Sequence, residues 1–335
     1  MAKLSVIIPN YNRASLIGET IRSILSQTRV SDEIIVVDDG STDESRDVIR
    51  EFVPRVQLIV QENAGPARAR NRGLSEATGD FIQFLDSDDL CFHNKFEEQL
   101  RELMRTGADM AYSPYVKCSL DNGVAQLCGP VMQARPLPNL HSPVRYFAKG
   151  WGIYLQACIF RRGLVIKAGP FQEKLMPTED YEFLLRVLLA RPKMVHVPST
   201  GFIYRLHDDG QLSFNSPGSA KRAKDYVNYV CHVREHLRRH RSQFSCLDRA
   251  GWWVESIAAQ RAFGEIGGVG RHTADWREAI RDAPLLCKKA SSIVWQISRK
   301  FHGRAYYSCF GESNLDWRIG ELIIGLGYEP RLSPI

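Results

Sequence analysis

The sequence lacks any apolar run that approaches the roughly 18 consecutive residues a transmembrane helix needs. Its first residues, MAKLSVIIPNYNR, have too short an apolar part for a signal peptide and no small-residue cleavage site. Eight cysteines are scattered without a C-x-x-C pair, which argues against a disulfide framework and against a cysteine zinc site. These absences predict a cytoplasmic protein.

Several familiar cofactor and catalytic motifs are also missing. The turn after the first predicted strand, IPNYNR, contains no glycine, whereas a Rossmann dinucleotide site requires G-x-G-x-x-G there. The later GEIGGVGR follows no predicted strand, and the P-loop, H-E-x-x-H and G-x-S-x-G motifs do not occur. The Gly-rich, Arg-containing turn of a sugar nucleotidyltransferase is absent as well. The sequence therefore argues against enzymes that depend on these motifs.

Positive charge is concentrated in the last third of the chain. Residues 216–335 contain 19 Lys and Arg against 12 Asp and Glu, while residues 1–215 contain 25 against 26. Five of the six tryptophans also lie after residue 216. We therefore expect two regions, a domain at 1–215 and a basic, mainly helical region at 216–335.

Short β-branched apolar runs alternate with amphipathic segments from the start of the chain. Strands are predicted in KLSVIIP, DEIIVVDDG, VQLIV and DFIQFL, with helices between them, the first having Ser15 as its candidate N-cap. Further strands are predicted in QACIFRR, MVHVP and FIYRL, and a helix in EDYEFLLRVLLA. This order predicts an α/β fold with a doubly wound, mostly parallel sheet.

Polar segments follow each of the first four predicted strands, at 9–12, 38–43, 62–70 and 86–89. Ligands of such sheets bind beyond the carboxyl ends of the strands, so we expect these segments to gather at one edge. The last of them, DSDD, crowds carboxylates that repel one another unless water or a cation offsets their charge. A solvated turn is the alternative for that segment alone, but its position favours a ligand site.

These motifs together resemble the inverting family-2 glycosyltransferases of GT-A fold. The resemblance covers most of residues 4–214 and rests on SVIIPNYN, EIIVVDDGSTD, the G-x-x-x-A-R-N-x-G-L pattern, GDFIQFLDSDD, TEDYEFLLR and YRLH. It implies metal-assisted transfer of a sugar, with inversion, from a nucleotide diphosphate donor of UDP type. The implied acceptor is a hydroxyl of a glycan or of a lipid-linked saccharide.

The resemblance also implies roles for the acidic segment. Asp86 would contact ribose or sugar hydroxyls beside Ser87, and Asp88 would hold Mn²⁺ or Mg²⁺, which prefer oxygen ligands. Asp89 would support this geometry or the acceptor side. His207 either closes over the metal or the diphosphate, or is a histidine of a surface loop.

For the nucleotide, the resemblance places Tyr11 against a uracil-type base with Pro9 nearby, although a packed aromatic is the alternative for Tyr11. Asp39 would accept a hydrogen bond from the imide N–H of the base. Gly65 would let the backbone approach the nucleotide, and Arg70 would reach the donor.

Inversion requires a base that deprotonates the acceptor hydroxyl. TED, residues 178–180, opens a predicted helix, and by itself it reads as an N-cap Thr178 followed by first-turn acids. The resemblance implies that Asp180 is the base, with Glu179 beside it as the second candidate.

The alternative to an enzyme is a catalytically inactive relative that binds a sugar nucleotide or a glycan. Residues 216–335 lie outside the resemblance, and their charge and tryptophans suit peripheral contact with an anionic membrane or a solvated helical cap. No recognition motif accompanies this basic region, so nucleic acid is not expected as a partner.

Overall fold

The computed structural model describes residues 2–121, 124–129, 131–136, 153–175 and 178–207, together with Arg239 and Glu329–Arg331. Its main feature is a seven-stranded sheet whose first four strands are parallel. These four strands are β1 Leu4–Asn10, β2 Glu33–Asp39, β3 Gln57–Gln61 and β4 Phe81–Phe84. All four strands predicted for this part of the chain are confirmed.

Three further strands complete the main sheet: β6 Met110–Tyr112, β9 Cys158–Arg161 and β10 Met194–His196. Across the sheet the order is β10-β6-β9-β4-β1-β2-β3. Strand β9 is antiparallel to both of its neighbours, β4 and β6, while β6 and β10 are parallel. The sheet is thus mixed but mostly parallel.

Helices cover both faces of this sheet, as expected for a doubly wound fold. They are α1 Ala14–Leu25, α2 Ser45–Arg50, α3 Pro66–Glu76, α4 Lys95–Thr106, α5 Arg162–Ala168 and α6 Glu179–Leu189. Because side chains alternate along a strand, Ile7 packs in the core under α3, α5 and α6, while Val6 and Ile8 pack under α1, α2 and α4. Gly73 lets α3 lie close to β1, since a Cβ there would come within 2.5 Å of the Ile7 side chain.

The predicted N-cap of α1 is wrong. Helix α1 begins at Ala14, so Ser15 lies inside its first turn and Arg13 occupies the N-cap position without a side-chain bond. The first backbone amides are satisfied from the next loop instead: Ala14 N–H donates to Asp43 Oδ2 (2.9 Å) and Arg13 N–H to Ser45 Oγ (2.9 Å). The segment after β2, with Asp43 in the loop and Ser45 at the start of α2, therefore fixes where α1 starts.

A second sheet has five strands: β5 Leu90–Cys91, β7 Tyr115–Asp121, β8 Val124–Leu127, β11 Phe202–Leu206 and β12 Glu329–Arg331. Their order across this sheet is β12-β8-β7-β11-β5. Strand β5 directly follows the acidic segment, and it pairs antiparallel with β11. This pairing brings His207, the residue after β11, to the acidic segment.

No helix within the described residues is long and apolar enough to cross a membrane. The predicted basic region at 216–335 lies outside the described residues except for Arg239 and Glu329–Arg331.

Candidate active site

The segments that follow β1, β2 and β4 meet at one edge of the main sheet. Asn10 Nδ2 donates to Asp38 Oδ2 across the ends of β1 and β2 (3.1 Å). Arg13, after β1, reaches Asp88, after β4, with 3.3 Å between Nε and Oδ2. The gathering of strand ends that the sequence predicts is therefore present.

The acidic segment after β4 brings three carboxylates together. One ligand oxygen from each of Asp86, Asp88 and Asp89 lies within 4.8 Å of the others. Asp89 is buried, and its Oδ1 accepts the Arg205 N–H (3.1 Å), but its buried Oδ2 has no hydrogen-bond partner among the described residues. Burial and the charges of Asp88 and Asp86 raise the pKa of Asp89 well above its ordinary value. A divalent cation, which prefers carboxylate oxygens, fits this set of donors.

A single oxygen of Asp88 contacts the side chains of both an arginine and a histidine. Arg13 Nε and His207 Nε2 lie 3.3 Å and 3.0 Å from its Oδ2. Burial alone would raise the pKa of Asp88, but the hydrogen bonds and charges of His207 and Arg13 bring it below the ordinary value. His207 is thus not a histidine of a remote surface loop: its ring lies in the site, and its buried Nδ1 has no hydrogen-bond partner in the described part of the chain.

Arg70 connects the acidic segment to the start of α6. Its Nη2 donates to Asp86 Oδ1 (2.7 Å) and its Nη1 to Glu179 Oε1 (2.8 Å). The guanidinium carbon also lies 5.5 Å from the centre of the Phe171 ring. The second oxygen of Asp86 accepts a hydrogen bond from Gln156 Nε2. Arg70 is buried, and these two carboxylates occupy its terminal nitrogens.

The two candidate bases differ in their surroundings. Glu179 is buried and bonded to Arg70, whereas Asp180 is only partly buried and accepts the N–H of Tyr181 at its Oδ1 (2.7 Å). Burial, together with the negative charges of Glu179 and Asp86, raises the pKa of Asp180 to about 7. Thr178 stands at the N-cap position but makes no side-chain capping bond. A carboxylate with a pKa near neutrality suits general-base work.

The residues expected at the nucleotide base occupy the ends of β1 and β2. Tyr11 follows β1 and is 45% exposed, so it is not a core aromatic. Pro9 is buried within β1, in register with Val37 of β2. Asp39, also buried, accepts Gln61 Nε2 (2.7 Å) and Ala64 N–H (3.0 Å) at Oδ1 and Gly65 N–H (2.8 Å) at Oδ2.

Asp39 therefore shapes the loop that leads into α3. Gly65 has a φ of +92°, a conformation that side-chain-bearing residues rarely adopt, and Pro66 follows it as the first residue of α3. Each carboxylate oxygen accepts two hydrogen bonds, so Asp39 Oδ2 retains capacity for one more.

Ser87 is buried, and its carbonyl oxygen accepts Thr20 Oγ1 from α1 (2.9 Å), which anchors the acidic segment.

Sequence reasoning missed three polar residues of this site: Arg13, Gln156 and Arg205. Arg13 directly follows the first strand-end motif, and this position was a usable signal. Gln156 and Arg205 lie in segments that the sequence predicts as strands, and nothing in the local pattern indicates that they contact the acidic segment.

Comparison with known proteins identifies the family of the chain. The family model of glycosyl transferase family 2 matches residues 5–165. The Escherichia coli UDP-Glc:alpha-D-GlcNAc-diphosphoundecaprenol beta-1,3-glucosyltransferase WfgD is 31% identical over 231 residues, which are 67% of this chain and 85% of WfgD. The chain belongs to glycosyltransferase family 2. Its matches to three glycosyltransferases of Rickettsia species and one of Haemophilus influenzae span only 17% to 52% of the length of those proteins.

Solved structures of glycosyltransferases share the fold of this family-2 chain. S. aureus TarS 1-349 in complex with UDP-GlcNAc superposes with a TM-score of 0.64 at 19% identity, covering 95% of this chain and 92% of the other. The Pyrobaculum calidifontis mannosyltransferase PcManGT, in complex with GDP-Man and Mn²⁺, gives a TM-score of 0.52 at 19% identity, with coverages of 92% and 85%. The GT-A fold predicted from the sequence is confirmed.

Proposed function

We propose that the chain transfers a sugar, with inversion, from a nucleoside diphosphate donor to an acceptor hydroxyl. The observation that carries this proposal is the Arg70 bridge between Asp86 of the acidic segment and Glu179 at the start of α6. The bridge supports the proposal because it joins the acidic segment, whose carboxylates suit a cation, to the start of α6, where the candidate base Asp180 follows Glu179.

The donor end of the site consists of the acidic segment and the ends of β1 and β2. Asp88 would hold a divalent cation, with Asp86, Asp89 and His207 as the nearby candidate ligands. Such a cation, when bound, supplies positive charge that stabilises the leaving diphosphate. In the proposal Asp86 and Ser87 contact the sugar or ribose.

The nucleotide base would lie on the exposed face of Tyr11, beside Pro9. The remaining acceptor capacity of Asp39 is available to an imide N–H of that base. Gly65 would border the nucleotide, and Arg70 would act on the donor by holding Asp86 in place.

Asp180 is proposed as the base that takes the proton of the acceptor hydroxyl. Its partial exposure leaves it accessible, and its raised pKa makes it an effective proton acceptor near neutral pH. Glu179 is the weaker candidate because its carboxylate is buried and engaged in an ion pair with Arg70, which holds it in place. Glu179 then positions the start of α6.

A uridine diphosphate sugar is the proposed donor because WfgD uses UDP-Glc and the TarS complex contains UDP-GlcNAc. The name of WfgD also supports a lipid-linked saccharide acceptor. We extend this to a peripheral contact of the basic residues 216–335 with the cytoplasmic face of a membrane. Co-sedimentation with anionic and neutral vesicles at low and high salt tests that extension.

The experiment that tests the function is a panel of UDP-, GDP- and dTDP-sugars, each with and without Mn²⁺. Thermal stabilisation of the protein reports binding, and release of the nucleoside diphosphate reports turnover. The proposal predicts Mn²⁺-dependent stabilisation and turnover with at least one UDP-sugar. Stabilisation without turnover against any acceptor would favour the inactive, nucleotide-binding alternative.

A further inference from the structure

Arg13 lies against the acidic segment, although the proposed sugar transfer assigns it no role. Its Nε is 3.3 Å from Asp88 Oδ2, the oxygen that also contacts His207 Nε2. Its side chain is 14% exposed, so the guanidinium is largely shielded from water. At this position Arg13 is a counter-ion of the residue proposed to hold the cation.

The backbone of Arg13 is fixed from both sides. Its N–H donates to Ser45 Oγ (2.9 Å), and its carbonyl oxygen accepts the Ile17 N–H of α1 (2.9 Å). Its Nη1 donates to the carbonyl oxygen of Asn12 (3.0 Å). The guanidinium is therefore held beside Asp88 by the same contacts that start α1.

A positive charge at this place acts on a cation that arrives alone. Two like charges a few ångströms apart in a partly buried site repel each other strongly, because water screens them poorly. We propose that Arg13 is a resident counter-ion of Asp88, which weakens the binding of a lone divalent cation and couples cation binding to binding of an anionic diphosphate.

The coupling follows from the sum of charges in the site. With a cation alone, the guanidinium adds repulsion, whereas with a cation and a diphosphate it adds attraction to the phosphate oxygens. Removal of the charge should thus strengthen binding of the cation alone and reduce the gain in cation affinity that the diphosphate provides. Loss of structure would not produce this combination. The effect on a lone cation rests only on the proposed cation site at Asp88, whereas the coupling rests also on the proposed binding of a nucleoside diphosphate.

The first arm of the test measures Mn²⁺ binding to the full chain, without nucleotide, by electron paramagnetic resonance. Arg13→Gln should bind Mn²⁺ about tenfold more tightly than the unaltered protein, as expected for removal of a nearby like charge. Arg13→Lys keeps the charge and should stay near the unaltered value. Arg46→Gln is the matched control because Arg46 pairs with Asp38, a strand-end carboxylate outside the cluster (2.7 Å).

The second arm repeats the Mn²⁺ titration with saturating UDP. In the unaltered protein UDP should tighten Mn²⁺ binding. In Arg13→Gln this enhancement should be smaller by about tenfold, because the variant lacks the charge that repels the lone cation and attracts the diphosphate. Thermal denaturation checks that each variant is folded. A protein that binds Mn²⁺ but no nucleoside diphosphate would count against the proposed function, and the first arm would still decide the role of Arg13.

Three results would overturn the inference. They are an Arg13→Gln variant whose Mn²⁺ affinity without nucleotide is unchanged or weaker, an equal gain in Arg46→Gln, and a chain that binds no Mn²⁺ in any variant.

Discussion

Arg70 and Glu179 stand 109 positions apart in the chain and form a buried ion pair with 2.8 Å between Nη1 and Oε1. Through its other terminal nitrogen Arg70 holds Asp86, so one guanidinium sets the position of the acidic segment relative to α6. The acidic segment is therefore linked through a single side chain to the start of α6, where the proposed base Asp180 follows Glu179.

The first prediction concerns the stability of this link. Arg70→Met should lower the free energy of unfolding by about 3–5 kcal/mol, because it leaves two carboxylates in a buried site without their cation. Arg72→Met, on the same helix, removes an exposed pair with Glu76 and should change it by about 0.5 kcal/mol or less. Urea denaturation measures the free energy of unfolding of both variants. An equal decrease in the two would show that the buried pairs of Arg70 stabilise the fold no more than the exposed pair of Arg72.

The second prediction is a pH dependence. Asp180 acts as a base only when ionised, and its pKa is raised to about 7, so kcat/KM should rise with pH through about 7 and then level off. The charge of Glu179 contributes to that rise in pKa, so Glu179→Gln should move the acidic limb to lower pH while turnover persists. If the acidic limb of the kcat/KM profile does not move in Glu179→Gln, or if this variant loses turnover, Glu179 would be the better candidate for the base.

The third prediction separates catalysis from donor binding. Asp180→Asn keeps the size of the side chain and removes its basicity, so turnover should fall by roughly two to four orders of magnitude. Affinity for the nucleoside diphosphate with Mn²⁺ should stay within about twofold, because Asp180 contacts neither Asp88 nor the nucleotide in the proposal. Calorimetry and initial rates give the two quantities, and near-normal turnover would remove Asp180 from the mechanism.

The fourth prediction uses a buried lysine of the core. Lys95 Nζ donates to Gln83 Oε1 (2.5 Å) and Gln99 Oε1 (2.7 Å), and burial lowers its pKa from 10.5 to about 8. Between about pH 8 and 10.5 the Lys95 amine is protonated in the unfolded chain and neutral in the folded chain. The contribution of Lys95 to the free energy of unfolding therefore increases with pH across this range.

The measurement for Lys95 is the difference in unfolding free energy between the unaltered protein and Lys95→Met. As the pH rises across that range, the unfolding free energy of the unaltered protein should increase relative to that of Lys95→Met by up to about 3 kcal/mol. A constant difference would mean that Lys95 keeps its ordinary pKa in the folded state.

The sequence predicts the parallel part of the sheet well because its strands are short β-branched runs, each followed by a polar segment. It also predicts which acids lie near one another, since parallel strands end at the same edge. Of the second sheet, the sequence predicts only one strand, FIYRL, which is β11. Strand β7, Tyr115–Asp121, pairs in parallel with β11, which lies far along the chain, and such a pairing leaves no signal in the local sequence.

The same reason explains the site residues that were missed. Gln156 contacts Asp86 only because β9 pairs with β4 and places the preceding turn beside the acidic segment. The N-cap prediction for Ser15 failed because Asp43, in the loop after β2, and Ser45, the first residue of α2, supply the capping oxygens. In each case a tertiary contact determines what the local sequence leaves open.

The measurement that tests the central claim most directly is cation-dependent nucleotide binding by Asp88→Ala. UDP affinity is measured by calorimetry with and without Mn²⁺, and Asp47→Ala serves as the control because Asp47 is an exposed acid of α2 paired with Arg50. We predict that Mn²⁺ strengthens UDP binding in the unaltered protein and in Asp47→Ala, and that Asp88→Ala loses this strengthening while remaining folded. Mn²⁺-dependent UDP binding that survives in Asp88→Ala would contradict the assignment of the acidic segment.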